Sequence, residues 1–312
     1  MSVVGRVESV WRYPVKSMRG EELPEIFAGF AGVYGDRLFA FKSTATPAGF
    51  PYLTGREAHE MLLYRPRFRH PEKAAKPANL AAAQELSPIL NFVSADPVDL
   101  AVDVETPTGE VLAINDPLLA RQLAERAGDG HSLTLLRSER AMTDCRPISL
   151  FSLQTARQLG EEVGAVLDKR RFRANVYLDL GTGSGFSENE FVGRKLRIGS
   201  QVVVSILDRD PRCQMITLDP DTTAADPEVL RRVARGHDGT AGVYGAVLAE
   251  GTIRAEDPGR GKWPIRFTSA LAVMMRLRPL RTICWSACRR TRGSPVFGST
   301  AARTACFARS RR

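Results

Sequence analysis

The sequence predicts a mostly β chain with some α+β elements, its strands forming barrel-like units rather than a doubly wound sheet. Three observations lead there. Short runs rich in Val, Ile, Phe and Tyr recur between Gly- and Pro-containing turns. Helical patches are few, and most open at an Asp-Pro or Ser signal. No internal repeat is present.

Val3 to Tyr13 reads as a first strand, which Pro14 ends or places at an edge. A second, Arg37 to Phe41, follows the turn-prone stretch from Gly32 to Asp36. Residues 43–88 are rich in Pro, Ala and Thr, with a weak helical patch near Glu57 to Tyr64. Val98 to Val104 is a strand, and Asp116-Pro117 opens a helix to about Ala127, Asp as N-cap and Pro at the first helical position. The stretch 105–116 is the expected boundary between a first unit, 1–115, and a second, 116–258. The second unit reads as a strand at Leu133–Arg137, a helix from Ser152 to Val163 and a strand from Asn175 to Leu180. A hairpin follows over Lys195–Leu207, turning at Gly199-Ser200. Asp226-Pro227 opens a helix ending at Gly236, and Val243–Ala249 is a final strand.

The charge splits along the chain. The 312 residues carry a formal +9, yet residues 259–312 hold 13 Lys and Arg and no acid. Residues 1–258 are therefore mildly acidic at −4, which argues against nucleic acid as their partner. The tail, rich in Arg, Ser, Ala and Thr, is expected to hold little fixed structure. It reads either as a nucleic-acid or membrane-binding arm or as sequence that was never selected. No stretch reaches the ~18 apolar residues of a membrane span. Arg6, Glu8 and Arg12 interrupt the first apolar run, so a secretory signal is not expected and a cytoplasmic address is. Of five cysteines only Cys145 and Cys213 lie before the tail, too few for a disulfide framework.

Two segments stand out chemically. In Asp208 to Thr217, the Cys213 thiol sits beside Arg209 and Arg212, cations that depress a thiol pKa and favour the thiolate, a nucleophile and metal ligand. The alternative is an inert, partly buried cysteine. In Lys169 to Asn175, strand alternation would put Arg171, Arg173 and Asn175 on one face, where guanidinium forks could bind phosphate or carboxylate. A surface charge run is the plain alternative. Lys16-Ser17 and Asp36-Arg37 add cations, each weak alone. Gly181 to Gly185 is GxGxG and not GxGxxG, and it reads as a flexible turn. The four histidines show no metal-ligand spacing.

In combination these pieces resemble the MOSC superfamily, named after the C-terminal domain of molybdenum cofactor sulfurases, preceded by that family's N-terminal β-barrel domain. The residues that carry the resemblance are Tyr13 to Ser17, Gly35-Asp-Arg37, Leu53 to Arg56, Asp168 to Asn175, Gly199 after Leu196-Arg-Ile198, Arg212-Cys213, Thr217 to Asp221 and Gly251 to Arg254. The likeness runs from residue 1 to about 257 and is greatest to two-domain members of the amidoxime-reducing type. Phe191 stands where members often carry Trp, and the apolar closing strand is replaced by Glu256-Asp-Pro-Gly259 and the basic tail.

The resemblance implies roles. Cys213 would ligate molybdenum of a molybdopterin-type cofactor, as both metal ligand and catalytic residue. Lys16, Ser17, Arg37, Arg171, Arg173, Asn175 and Arg212 would hold the pterin and its phosphate, with Ser152 and Thr217 adding hydrogen bonds. Pyridoxal phosphate, associated with the wider family, is not expected of this chain. The implied activity is a molybdenum-dependent oxidoreductase that reduces N-hydroxylated compounds with electrons from a separate reductase or ferredoxin-like donor. The alternatives are a non-redox cofactor or sulfur carrier using Cys213 and, remotely, nucleic-acid binding through the tail.

Overall fold

The computed structural model describes residues 3–80 and 96–255 together with the backbone of 264–267. The described residues fall within one compact unit. The N-terminal third supplies β1 (Val3–Arg12), β2 (Glu21–Leu23), β3 (Glu25–Gly29), β4 (Gly32–Val33), β5 (Phe39–Ser43) and β6 (Arg65–Phe68). Next come β7 (Val102–Glu105), β8 (Val111–Ala113), α1 (Pro117–Ala127), β9 (Leu133–Arg137), β10 (Ile148–Ser152), α2 (Leu153–Val163) and β11 (Val176–Asp179). The last stretch gives β12 (Lys195–Ile198), β13 (Val202–Pro211), α3 (Pro227–Gly236), β14 (Thr240–Ala249), β15 (Gly251–Arg254) and β16 (Pro264–Phe267).

The chain is mostly β. Eight strands form one sheet in the order β11–β10–β14–β13–β12–β16–β1–β2, and β11 also pairs with β1, so the sheet curls back on its first strand. Every pair in it is antiparallel except β10–β11, which is parallel. A parallel pair needs a crossover of a dozen or more residues, and α2 with the turn behind it supplies that length.

The N-terminal portion does not close into a barrel of its own. Its strands fall into a three-stranded sheet β15–β3–β4, a pair β5–β9 and a three-stranded sheet β6–β7–β8. Long, β-branched β1 is drawn into the large sheet, while β3 takes its partner from β15, more than 220 residues along the chain. The large sheet also draws on the region read from sequence as tail. β16 pairs with β1 on one side and β12 on the other, so expected disorder fails at 264–267. An unpaired strand edge is costly, and this segment covers it. The rest of the expected tail lies outside the described residues.

The helix signals read from sequence hold. Asp116 accepts from the Leu118 N–H at the start of α1, and Asp226 from the Glu228 N–H at the start of α3. Each satisfies one of the free donors of a helix N-terminus. The hairpin β12–β13 turns at Gly199, whose φ of +64° suits a residue without Cβ. The weak helical patch is a short 3-10 turn, His59–Leu63.

Three apolar clusters hold the unit together. The first packs Val7, Val10, Leu150, Val176, Leu178, Val204 and Ile206 among the strands of the large sheet. The second joins Phe41, Leu53, Met61, Tyr64 and Val104 to Leu119 and Leu123 of α1. The third is aromatic: Trp11, Tyr13, Phe151, Phe172 and Tyr177 meet Leu159 of α2 and Val229 and Val233 of α3. Within it the Phe151 and Phe172 rings stack at 4.1 Å.

Ser152, expected from the resemblance to contact the cofactor, is instead the N-cap of α2. Its Oγ accepts from Thr155 N–H and donates to Glu188 at 2.8 Å, and it is fully buried. Glu188 is also fully buried and accepts from the Thr155 hydroxyl at 2.7 Å. A carboxylate beneath a helix N-terminus is stabilised by these donors and by the helix dipole. Glu188→Ala should therefore lower unfolding stability by on the order of 3 kcal/mol, because two buried hydroxyls lose a charged acceptor. Denaturant unfolding of the variant checks this, and a change under 1 kcal/mol would rule the account out.

Candidate functional site

Seven of the ten residues expected at a site, Lys16, Ser17, Arg37, Arg171, Arg173, Arg212 and Cys213, line one cavity. Local backbone geometry delivers them. Ser17 (φ +65°), Arg37 (φ +43°) and Arg173 (φ +52°) all adopt the left-handed region, which costs a non-glycine residue about 1 kcal/mol or more. Hydrogen bonds hold the strained loops in place. Arg37 N–H donates to the Tyr13 carbonyl at 2.6 Å, and Met142 N–H to the Arg37 carbonyl at 3.1 Å.

Lys169 to Phe172 is a 3-10 turn capped by Asp168, not the alternating strand expected from sequence. Asp168 accepts from the Arg170 N–H and pairs with the Arg170 guanidinium, which closes the segment into a turn. Arg171 and Arg173 reach the cavity because the left-handed step at Arg173 re-aims the chain. Arg171 donates to the Thr217 carbonyl at 2.7 Å, and Arg173 to the Met18 carbonyl at 2.8 Å. The Tyr13 ring lies between Arg37 and Arg173, each guanidinium 4.4 Å from its centre.

Arg212 leaves the end of β13 and is fixed on three sides. It donates to the carbonyls of Ala241 at 2.7 Å and Phe172 at 2.8 Å, and lies 2.7 Å from the Asp210 carboxylate. Gly242, at φ +80°, makes the room: a Cβ there would stand 3.1 Å from Arg212 Nη2 and 2.9 Å from the Leu150 carbonyl. Lys16 donates to the Met142 carbonyl at 2.8 Å and pairs with Asp144.

Asn175 and Thr217 do not line the cavity. Asn175 is fully buried and accepts from Ser149 N–H and Oγ, joining β10 to the start of β11. Thr217 spends its hydroxyl on the Gln214 carbonyl, so only its own carbonyl touches the site, through Arg171. Arg56, Asp144, Asp210, Tyr244 and Phe50 also line the cavity and were not singled out. Arg56 lies in Leu53–Arg56, which carried the resemblance, and Asp210 sits two residues before Arg212 on one strand. Both signals were legible in the sequence. Phe50 and Tyr244 are brought in by tertiary folding alone.

Six cations, Lys16, Arg37, Arg56, Arg171, Arg173 and Arg212, thus face two carboxylates, Asp144 and Asp210. Burial, which outweighs the adjacent Arg212, pushes the Asp210 carboxyl up to about 7 and removes part of its negative charge at neutral pH. Burial, joined by the Arg37 charge, pulls Arg173 down to about 10, still charged. One buried guanidinium nitrogen, Arg171 Nε, has no hydrogen-bond acceptor, while Arg212 Nη2 lies 2.7 Å from Asp210 Oδ2. The surplus of cations over carboxylates suits an anionic ligand.

Cys213 caps the 3-10 turn Gln214–Thr217 and opens on the same cavity. Its thiol is not depressed as expected from the flanking arginines. Burial pushes it up and outweighs the Met215 N–H, Arg56 and Arg212. Arg209 points away, toward Asp238 at 3.6 Å. Among the described residues no cluster of three or more His, Cys, Asp or Glu side chains could hold a metal ion.

This is a predominantly β fold with a cationic cavity beside one thiol. Residues 137–259 match the family model of the MOSC domain. MOSC domains are associated with binding of the molybdenum cofactor. No curated protein matches the chain. Among solved structures, the YuaD protein of Bacillus subtilis is 12% identical, with 84% of this chain and 93% of that one covered, at a TM-score of 0.41. YiiM of Geobacillus stearothermophilus is 17% identical over 40% of this chain and 55% of its own, at a TM-score of 0.31. YiiM of Escherichia coli is 17% identical over 41% and 56%, at 0.28. The chain thus spans about half the length of the YiiM proteins. No helix among the described residues is long and apolar enough to cross a membrane.

The raised Asp210 carboxyl has a measurable consequence. Its folded value, about 7, lies above the ~3.9 of an unfolded aspartate, so the folded state binds the extra proton. The stability this group contributes is fully present below about pH 4 and is lost as pH rises through 7. Asp210→Asn should abolish that loss. The melting temperature of the variant minus that of the parent should rise between pH 4 and pH 7, and a flat difference would refute the assignment.

Proposed function

We propose that the chain binds a molybdenum cofactor of the molybdopterin type in this cavity and acts as an oxidoreductase toward N-hydroxylated compounds. The observation that carries the reading is convergence: six cations against two carboxylates surround the opening on which Cys213 lies. An anionic pterin phosphate answers that surplus, and a single thiolate suits a sulfur-accepting metal centre. The residues present therefore fit the group. Lys16, Ser17, Arg37, Arg171, Arg173 and Arg212 would hold it, and Cys213 would ligate the metal. Asn175, Ser152 and Thr217 act behind them, as scaffold.

When bound, the cofactor supplies two-electron redox chemistry. The net reaction adds two electrons and two protons to an N–OH group, breaks the N–O bond and releases water. The described residues show no group to supply electrons, so a separate reductase or ferredoxin-like donor provides them. This chain's own part is electrostatic and steric. Its arginines stay charged at neutral pH and neutralise the cofactor's phosphate in a low-dielectric cavity. Asp210, titrating near 7, holds a proton inside the same cavity, where its carboxyl oxygen can pass one on. Binding of the Cys213 thiol to a metal displaces its proton, despite the burial that otherwise keeps it protonated.

Metal and pterin analysis of protein purified from a cofactor-producing host tests the reading. Cys213→Ser should lose molybdenum while melting within a few degrees of the parent, because one loop side chain rarely sets core stability. Arg173→Ala should retain on the order of tenfold less pterin, as expected when a charge-assisted hydrogen bond of ~1.5–3 kcal/mol is lost. Parent protein without molybdenum or pterin would defeat the proposal. Loaded protein that fails to reduce an amidoxime or hydroxylamine with a chemical reductant would favour the carrier alternative.

A further inference from the structure

A second cavity shares Arg173 with the first. It is lined by Arg19, Arg170 and Arg173, with the rings of Trp11 and Tyr13 and the single carboxylate Glu22. Only Arg173 is common to both cavities. The volume is ≈ 130 Å³, room for several waters or one phosphate-sized ion.

The wall is built rather than incidental. Arg19 donates to the Pro220 carbonyl at 2.8 Å and pairs with Asp221, which anchors the guanidinium from outside. Its Nε is buried and has no hydrogen-bond acceptor. Arg170 is held by Asp168 at 2.6 Å and by Asp221 at 2.5 Å. Neither of those carboxylates lines the cavity. The acids thus fix the guanidinium groups from behind and leave the cavity face cationic. Gly20 completes the shape, since a Cβ there would stand 2.3 Å from the Tyr13 ring.

We propose that this cavity is a second anion site, which takes a small tetrahedral or planar oxyanion such as phosphate, sulfate or a carboxylate. The unmet Arg19 Nε–H supplies one directed hydrogen bond, and Arg173 supplies charge from the wall shared with the first cavity. Of the residues proposed to hold the cofactor its walls include only Arg173, so the site does not depend on the cofactor reading. Two sources share this chemistry: a free oxyanion, and an anionic end of a ligand seated in the first cavity.

The test is titration of the full chain with inorganic phosphate, followed by calorimetry, on protein made with and without cofactor. Beside any binding in the first cavity, the cofactor-free protein should bind one phosphate whose affinity falls at least tenfold in Arg19→Gln. In Lys16→Gln, altered only in the first cavity, that affinity should be unchanged. Arg19→Lys keeps the pairing with Asp221 but lacks the Nε–H, so it should bind as weakly as Arg19→Gln. If Arg19→Gln fails to fold, the lysine variant carries the test. Phosphate binding that persists in loaded protein identifies a free-oxyanion site, and binding lost on loading identifies the anionic end of the bound ligand. A crystal of cofactor-free protein soaked in selenate should show anomalous density between Arg19 and Arg173. Absence of binding, affinity unaffected by both Arg19 variants, or selenate confined to the first cavity would each overturn the proposal.

Discussion

Guanidinium groups held by main-chain carbonyls are the constraint around which the cavity is organised. Burying a charge is costly unless it is paired, and pairing with a carboxylate cancels the charge that would attract a ligand. A carbonyl satisfies N–H donors and leaves the charge in place. Arg173 leans on Met18, while Arg212, Arg171 and Arg37 combine carbonyls (Ala241 and Phe172, Thr217, and that of Arg173) with a carboxylate each, Asp210, Asp219 and Asp36, of which only Asp210 lines the cavity. Apart from that of Ala241 in β14, these carbonyls belong to residues outside the strands. The left-handed steps at Ser17, Arg37 and Arg173 go with that placement. Backbone strain and cationic surplus are two faces of one solution.

The aromatic cluster has a matching part. Tyr13 sits between two guanidinium groups, while Phe151 and Phe172 lie 5.7 Å and 5.4 Å from that of Arg212. Ring faces carry negative electrostatic character, so they soften the cost of buried cations without adding acid. The same rings pack α2 and α3 against the large sheet. Core and site therefore share residues, and repacking one disturbs the other.

Much of this was legible in the sequence because its signals were local. Asp116-Pro117 and Asp226-Pro227 marked helix starts that the structure reproduces at Pro117 and Pro227. Lys16, Arg37, Arg173 and Arg212 were found through short motifs. Signals that depend on the partner of a strand or the far side of a loop were not legible. Asn175 was read as facing the site, yet its amide joins two strands, a role fixed by Ser149 from β10. Cys213 was assigned a depressed thiol from adjacent arginines, but adjacency in sequence says nothing of burial, and burial prevails. β16 was hidden in a stretch whose composition suggested disorder. The four residues Pro264 to Phe267 pair because β1 and β12 offer them two edges.

Residues that line the first cavity begin at Lys16 and end at Tyr244. Half of its cations, Lys16, Arg37 and Arg56, precede residue 137, where the match to the MOSC family begins. The segment that matches the MOSC model and the cavity thus do not coincide. A fragment cut at the segment's borders would keep the thiol but forfeit half of the charge and the first strand of its own sheet. Grafting this domain onto another protein transplants the thiol with only Arg171, Arg173 and Arg212 of its cationic surround. During synthesis the cavity stays incomplete until β14, which carries Tyr244, has left the ribosome.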